Sequence, residues 1–143
     1  VQQRAHAVLG PIRRPDELKQ FLDFLDGIKD GMADLAPSSA VRAYNKEWID
    51  ILELKNIVHL LQAATRSALF REESRGVHFR EDFPQTDNDR WLKETIVGYT
   101  EGAFELEVRT PSTTQITPPG GKFEYLDMWK QMMAAHSDVG GHH

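Results

Sequence analysis

The chain has 143 residues and a mass of 16.3 kDa, the size of one domain with room for a core. A formal charge of -5, from 17 basic and 22 acidic residues, argues against nucleic acid or an anionic membrane as a general partner. The sequence contains no cysteine, which excludes disulfides, iron–sulfur ligation and thiol chemistry within the chain, and no apolar run is long enough to span a bilayer. The 40% hydrophobic and 27% charged composition is that of an ordinary globular domain. There is no signal-peptide pattern. The first residue is Val1 rather than Met, so the chain reads as a processed or trimmed product or as part of something longer.

Val1 to Arg14 is a short helical start broken at Gly10-Pro11. Pro15 followed by Asp16 and Glu17 marks a helix N-terminus, because proline is tolerated in the first turn and acids suit the positive end of the dipole. Leu18, Phe21, Leu22, Leu25, Ile28, Met32 and Leu35 then recur at three- and four-residue steps, which predicts an amphipathic helix from Pro15 to Leu35. A longer helix is predicted from Lys46 to Ser74, roughly 40 Å at ~1.5 Å per residue. Ile49, Leu52, Ile57, Val58, Leu61, Ala64, Ala68 and Leu69 make it apolar over much of its circumference, so it is expected to be central and buried. His59, within that run, reads as a hydrogen-bonded core histidine rather than a ligand. Gly76 is expected to end the helix in the left-handed region. Val77 to Thr86 is expected to be irregular, and Asp87 to Trp91 to form one more helical turn.

After Trp91 the period changes to alternation. Thr95–Thr100 and Phe104–Arg109, joined by Glu101-Gly102, predict a β-hairpin lying on the helices. Pro111 to Lys122 reads as a loop, Tyr125 to Met133 as a short amphipathic helix, and Val139 to His143 as a disordered tail. The fold class is thus mainly α: a three-helix bundle of up-down helices, a small β-hairpin and an extended C-terminal tail. Its parts are a helical bundle at 1–93, a hairpin and loop packed on it at 94–125, and a short helix and tail at 126–143.

Phosphate-binding glycine loops, H-E-x-x-H and nucleophile-elbow motifs are all missing from the sequence. His142-His143 is a terminal pair that reads as a tail remnant as readily as a weak metal site. Met128 to Met133 reads as packing or a docking face. The chemically dense stretch is Ser74 to Pro84. If it is extended, His78, Arg80 and Asp82 project to one side while Phe79 and Phe83 anchor the other. Arg75, His78 and Arg80 could hold a carboxylate or phosphate, since guanidinium forks match planar oxyanions. Alternatively, Arg75 and Arg80 pair with Glu72, Glu73, Asp82 or Asp87 and simply fix the loop.

The spelling E-L-K-N (Glu53 to Asn56), then R-x-E-S-R-G-x-H-x-R-x-D-F-P (Arg71 to Pro84), then D-x-x-x-W-L-K (Asp87 to Lys93) resembles the C-terminal helical domain of succinate dehydrogenase and fumarate reductase flavoproteins. L-aspartate oxidase and adenylylsulfate reductase flavoproteins share the arrangement. The hairpin and Pro118-Pro119 before Tyr125 also fall where that family has them. The resemblance spans roughly Val41 to Tyr125 and is weaker over the first helix, while Gly120-Gly121-Lys122 and the Met-rich end depart from the succinate dehydrogenase pattern. It implies FAD and dicarboxylate chemistry in a parent protein whose FAD-binding and capping domains are not in this chain. No catalytic, cofactor-binding or metal-binding residue of the family carries over, and the chain alone is expected to be inactive. Arg75, His78, Arg80 and Asp82 are then candidate domain-interface or anion-binding residues. The implied partners are the parent's FAD-binding domain and an iron–sulfur subunit, with no nucleic acid and no direct membrane insertion. The implied location is the cytoplasm or the cytoplasmic face of a membrane. The rival readings are a free-standing helical interaction module and an independent enzyme using Arg75, His78 and Arg80 on an anionic substrate.

Overall fold

The computed structural model describes residues 1–112, 118–125 and 127. Three helices come first: α1 (Gln2–Val8), α2 (Pro15–Gly31) and α3 (Lys46–Phe70). Between α1 and α2 the short strand β1 (Ile12–Arg13) pairs in parallel with β2 (Phe79–Arg80). Strand β3 (Gln85–Asp87) leads into the single turn α4 (Asn88–Trp91). The hairpin β4 (Glu94–Thr100) and β5 (Ala103–Arg109) follows, and β6 (Lys122–Glu124) returns to pair antiparallel with β3. The architecture is the expected helical bundle carrying a small β-hairpin.

Helix α2 starts at Pro15 with Asp16 and Glu17 in its first turn. Its stripe forms the core: Leu18, Phe21 and Leu25 are fully buried, and Met32 at its C-cap nearly so. The helix stops at Gly31 rather than Leu35, and Leu35 lies exposed beyond a short turn. Gly27 and Gly31 lower helix propensity, and there is no core left at Leu35 to offset that cost. Helix α3 runs antiparallel to α2. Gln62 and Arg66 of α3 reach Asp26 at 2.5 and 3.3 Å, while the earlier Lys55, Val58 and His59 share a cleft with the later Lys29 and Met32 of α2.

Two expectations for α3 fail. The helix is capped at its start by Asn45, whose side chain accepts from the Trp48 N–H at 3.1 Å, but it ends at Phe70 and not Ser74. Nor is it buried around its circumference. Val58, Gln62, Thr65 and Ala68 form one buried face, whereas Trp48, Ile49, Leu52 and Leu60 are exposed, Leu60 by 66%. Among the described residues α3 is covered mainly by α2 and the hairpin, with Phe70 meeting Trp91 at its end, so part of its apolar surface has no counterpart there.

The hairpin turns at Glu101 and Gly102, both at positive φ (52° and 88°), the tight turn that matches strand twist. It grips α3 through His59, whose ring lies 4.3 Å from that of Tyr99 and 4.9 Å from that of Phe104. His59 is therefore half-buried in an aromatic clasp and makes ring contacts where hydrogen bonds were expected. The expected loop from Pro111 ends in strand β6 at Lys122, which sequence patterning did not reveal. Asn88 Nδ2 donates to the Pro119 carbonyl at 2.7 Å, and the Gly121 N–H donates to Asp89 Oδ1 at 2.7 Å. This strap ends at Tyr125, whose hydroxyl donates to the Gly76 carbonyl and whose ring meets Phe79 edge to face. The expected terminal helix, apart from Tyr125 and Asp127, and the expected tail lie outside the described residues.

Candidate functional site

The loop from Arg71 to Asn88 is built around a buried carboxylate. Glu73 is fully buried. It accepts from Arg75 at 2.9 and 3.1 Å and from the Asp87 backbone N–H at 3.0 Å, and it pairs with Arg71 at 3.2 Å. Two guanidinium groups and an amide surround one acid, so its charge is matched and its lone pairs are used. Arg75 also donates to Asn88 Oδ1 at 2.6 Å, and Arg71 donates to the Trp91 and Lys93 carbonyls at 3.1 and 2.7 Å. The neighbouring Ser74 is fully buried too. Its hydroxyl accepts from the Arg80 N–H at 2.9 Å and donates to the Phe83 carbonyl at 2.7 Å, so one short side chain closes the loop from inside.

Arg80 performs the termination expected of Gly76. Its Nη1 donates to the carbonyls of Ala68, Leu69 and Arg71 at 2.8, 3.0 and 3.2 Å, the acceptors left orphaned where α3 ends. The other side of its fork grips Asp82 at 2.7 and 2.6 Å, which holds the Asp82 carboxyl below the usual range. Gly76 does adopt positive φ (59°), but in the turn that brings Arg75 and His78 into a two-way backbone pair. Phe83 stacks under the Arg80 guanidinium at 5.1 Å, so it lies on the same side as Arg80. The segment turns at Glu81 and Asp82 instead of running straight, which defeats the strict alternation expected of it.

His78 is buried and receives a hydrogen bond from Arg13 at Nδ1. Burial first, and the Arg13 charge second, push its imidazole down to about 4. The Arg71 carbonyl is near the ring and opposes that shift, but no group meets hydrogen-bond geometry with Nε2. The structure thus brings Arg75, His78, Arg80 and Asp82 into one loop, with Arg75, Arg80 and Asp82 tied up in internal pairs. Arg13 is the member that sequence reading missed. It lies 65 positions before His78, and its signal would have been the strand pairing of Ile12-Arg13 with Phe79-Arg80.

Elsewhere, a surface cleft of about 340 Å³ between α2 and α3 is lined by Lys29, Met32, Val58, His59 and Gln62. Among the described residues, no group of three His, Asp or Glu side chains is placed to hold a metal. His142 and His143 lie outside those residues. No described helix is long and apolar enough to cross a membrane.

A two-helix core with a short third helix, closed by an arginine-rich loop and clasped by a hairpin, is the fold of a helical domain with one face uncovered. The sequence profile of the family described as "Fumarate reductase flavoprotein C-term" matches residues 1–124, and the chain belongs to that family of flavoprotein C-terminal domains. It is 37% identical over 94 residues to an uncharacterized FAD-dependent oxidoreductase of Methanocaldococcus jannaschii, covering 66% of this chain and 16% of that protein. It is 27% identical over 106 residues to the succinate dehydrogenase flavoprotein subunit of Rickettsia bellii, covering 73% and 18%. The fold superposes on E. coli quinol fumarate reductase with a TM-score of 0.76 at 22% identity, over 82% of this chain and 20% of that one. The chain therefore spans a fifth or less of the length of these relatives.

Proposed function

We propose that this chain is the C-terminal helical domain of an FAD-dependent oxidoreductase of the succinate dehydrogenase/fumarate reductase type, with a structural and docking role and no catalysis of its own. The parent reaction on this reading is two-electron interconversion of a dicarboxylate such as succinate with fumarate through FAD bound to another domain. The observation that carries the docking role is the uncovered apolar face of α3: Trp48, Ile49, Leu52 and Leu60 are exposed on the longest helix of the domain. Singly exposed apolar residues are ordinary, but four along one helix make a surface suited to a partner. Arg75, His78, Arg80 and Asp82 shape the junction from within, holding the end of α3 and the strap in fixed relation. An iron–sulfur subunit is a further partner of the assembled enzyme on this reading, and the assembly sits in the cytoplasm or at its membrane face.

The test is association of this chain with a separately expressed FAD-binding chain of the same flavoenzyme, with flavin absorbance and dicarboxylate turnover followed as the chain is added. Tight association that raises flavin occupancy or turnover is expected. A folded chain that fails to associate overturns the reading and leaves a free-standing helical interaction module in its place.

A further inference from the structure

Each buried cation of the arginine-rich loop has a carboxylate, whereas a cation packed beside the loop from β1 does not. Arg71 and Arg75 share Glu73, and Arg80 holds Asp82. Arg13, which is half-buried beside them, has none among the described residues. Its Nε donates to the Gly10 carbonyl at 3.2 Å and its Nη1 to His78 Nδ1. A guanidinium carries five N–H donors, and most of those of Arg13 remain unused. Among the described residues Nη2 has no protein partner, and it is not sealed off from solvent.

Its surroundings are unfavourable to a cation. Burial, and the Arg80 charge next to it, both lower the Arg13 pKa. The two groups placed against it, the Gly10 carbonyl and His78, supply neutral lone pairs and no counter-charge. The nearby acid Glu81 is already engaged by Arg14 at 3.0 Å. This end of the chain also carries two exposed apolar side chains, Ile12 at 57% and Val77 at 78%. Ile12 is the residue before Arg13, and Val77 the residue before His78. The registered pairing of Ile12 with Phe79 keeps the two segments side by side. The result is a half-buried charge with open donors at an end of the chain that also exposes apolar side chains.

We infer that Arg13, steadied by His78, is the receptor for an aspartate or glutamate carboxylate presented by the FAD-binding part of the flavoprotein. This rests on the docking role proposed above and names the polar contact that orients it. When a partner covers this end of the chain, water leaves the half-buried guanidinium, and leaving it unpaired would be costly. A carboxylate removes that cost and accepts two donors side by side. A free dicarboxylate is a poorer occupant, because its second carboxylate finds no second open cation in this loop: Arg71, Arg75 and Arg80 are all engaged.

The experiment is titration calorimetry of this chain against the FAD-binding chain over a series of NaCl concentrations, with variants whose folding is checked by thermal melting. Arg13→Gln is expected to weaken association about 30-fold or more, the range for truncating one partner of a desolvated charge pair, and to flatten the salt dependence. Arg13→Lys keeps the charge and recovers part of the loss. Val77 is exposed and plays no part in the core, so its variants fold even if those at Arg13 do not. Val77→Asp is expected to weaken association about tenfold or more by setting a like charge against the incoming carboxylate, while Val77→Lys leaves it unchanged or tighter. Equal losses for both Val77 variants would mean a purely apolar contact and overturn the inference. So would association by Arg13→Gln at wild-type strength, with the docking role left standing. Wild-type chain that does not associate at all overturns both. Titration of the free chain with succinate and with inorganic phosphate, read at the Arg13 Nε–H by NMR, supplies the last arm. Tight binding there would reassign the site to a small anion, and no binding agrees with a side-chain carboxylate.

Discussion

The loop from Arg71 to Asn88 and the first half of α3 reverse the usual relation between regularity and burial. The loop has almost no repeating structure, yet Glu73, Ser74, His78, Arg80, Thr86, Asp87 and Asn88 are all buried. The helix is regular for 25 residues, yet its outer face leaves Trp48, Ile49, Leu52 and Leu60 in solvent. In the loop, backbone groups without ladder partners are satisfied by side chains: Arg80 on the end of α3, Glu73 on the Asp87 amide, Thr86 on the Ser74 carbonyl at 2.6 Å. Within the body of the helix the backbone groups pair with one another, so its side chains are not needed to satisfy them and can stay unfavourable in water. The loop is closed within the chain; the helix face is left open among the described residues. Substitutions in the two regions should therefore act on different quantities.

The largest effect is expected at Glu73. Glu73→Gln leaves two guanidinium groups and an amide around a neutral side chain, and should cost about 3–5 kcal/mol of unfolding free energy in urea. A loss below about 1 kcal/mol would show that the loop is not the closed structure described. Arg80→Lys comes next. A lysine cannot hold Asp82 with a fork while also reaching three carbonyls, and the end of α3 is left with orphaned acceptors. A loss of about 2–3 kcal/mol is expected by the same assay, together with faster amide exchange at the last turn of α3.

These residues also show where the sequence was legible. The α2 stripe, the hairpin with its Glu101-Gly102 turn and the short helix at Trp91 follow from period and turn chemistry, which act over a few residues. The end of α3 does not. No glycine or proline interrupts Arg66 to Arg75, and the helix stops because Arg71, Glu73 and Ser74 are drawn into contacts with Trp91, Asp87 and Phe83. Those partners are 9 to 20 positions away, beyond any window of periodicity. The grouping of Arg75, His78, Arg80 and Asp82 was visible because they are close in sequence, whereas Arg13 was hidden because β1 and β2 meet only in the folded chain. The one-sidedness of α3 was obscured for a third reason. An apolar helix face looks the same in sequence whether its cover is in the same chain or in a partner.

An intermediate effect, on pH dependence, comes from His78. Its folded imidazole sits at about 4, below the ordinary value of 6.5, because burial and Arg13 disfavour the cation. Above pH 6.5 the ring is neutral in both folded and unfolded chains and no penalty arises. As pH falls from 6.5 towards 4 the unfolded chain takes up the proton and the folded chain does not, so stability is lost across that window. Between pH 7 and pH 5 the loss should be roughly 2 kcal/mol in urea titrations, since a tenfold difference in proton affinity is worth about 1.4 kcal/mol. His78→Gln should remove that slope. A wild-type profile already flat from pH 7 to 5 would place His78 in a far wetter environment than the loop provides.

The smallest effect on the chain itself is expected at Leu60, and it bears most directly on the difference between the two regions. Leu60 is 66% exposed, so Leu60→Asp should change unfolding free energy by no more than about 0.5 kcal/mol. The same substitution places a charge on the face that the docking reading covers, where desolvating it without a partner is costly. Association with the FAD-binding chain should then fall about tenfold or more while the melting temperature of the free chain stays put. Glu73→Gln should do the opposite, lowering the melting temperature and affecting association only through the population that remains folded. If Leu60→Asp destabilised the free chain as strongly as Glu73→Gln, the helix face would have to be covered from within the chain, and α3 would be the central buried helix that its composition first suggests.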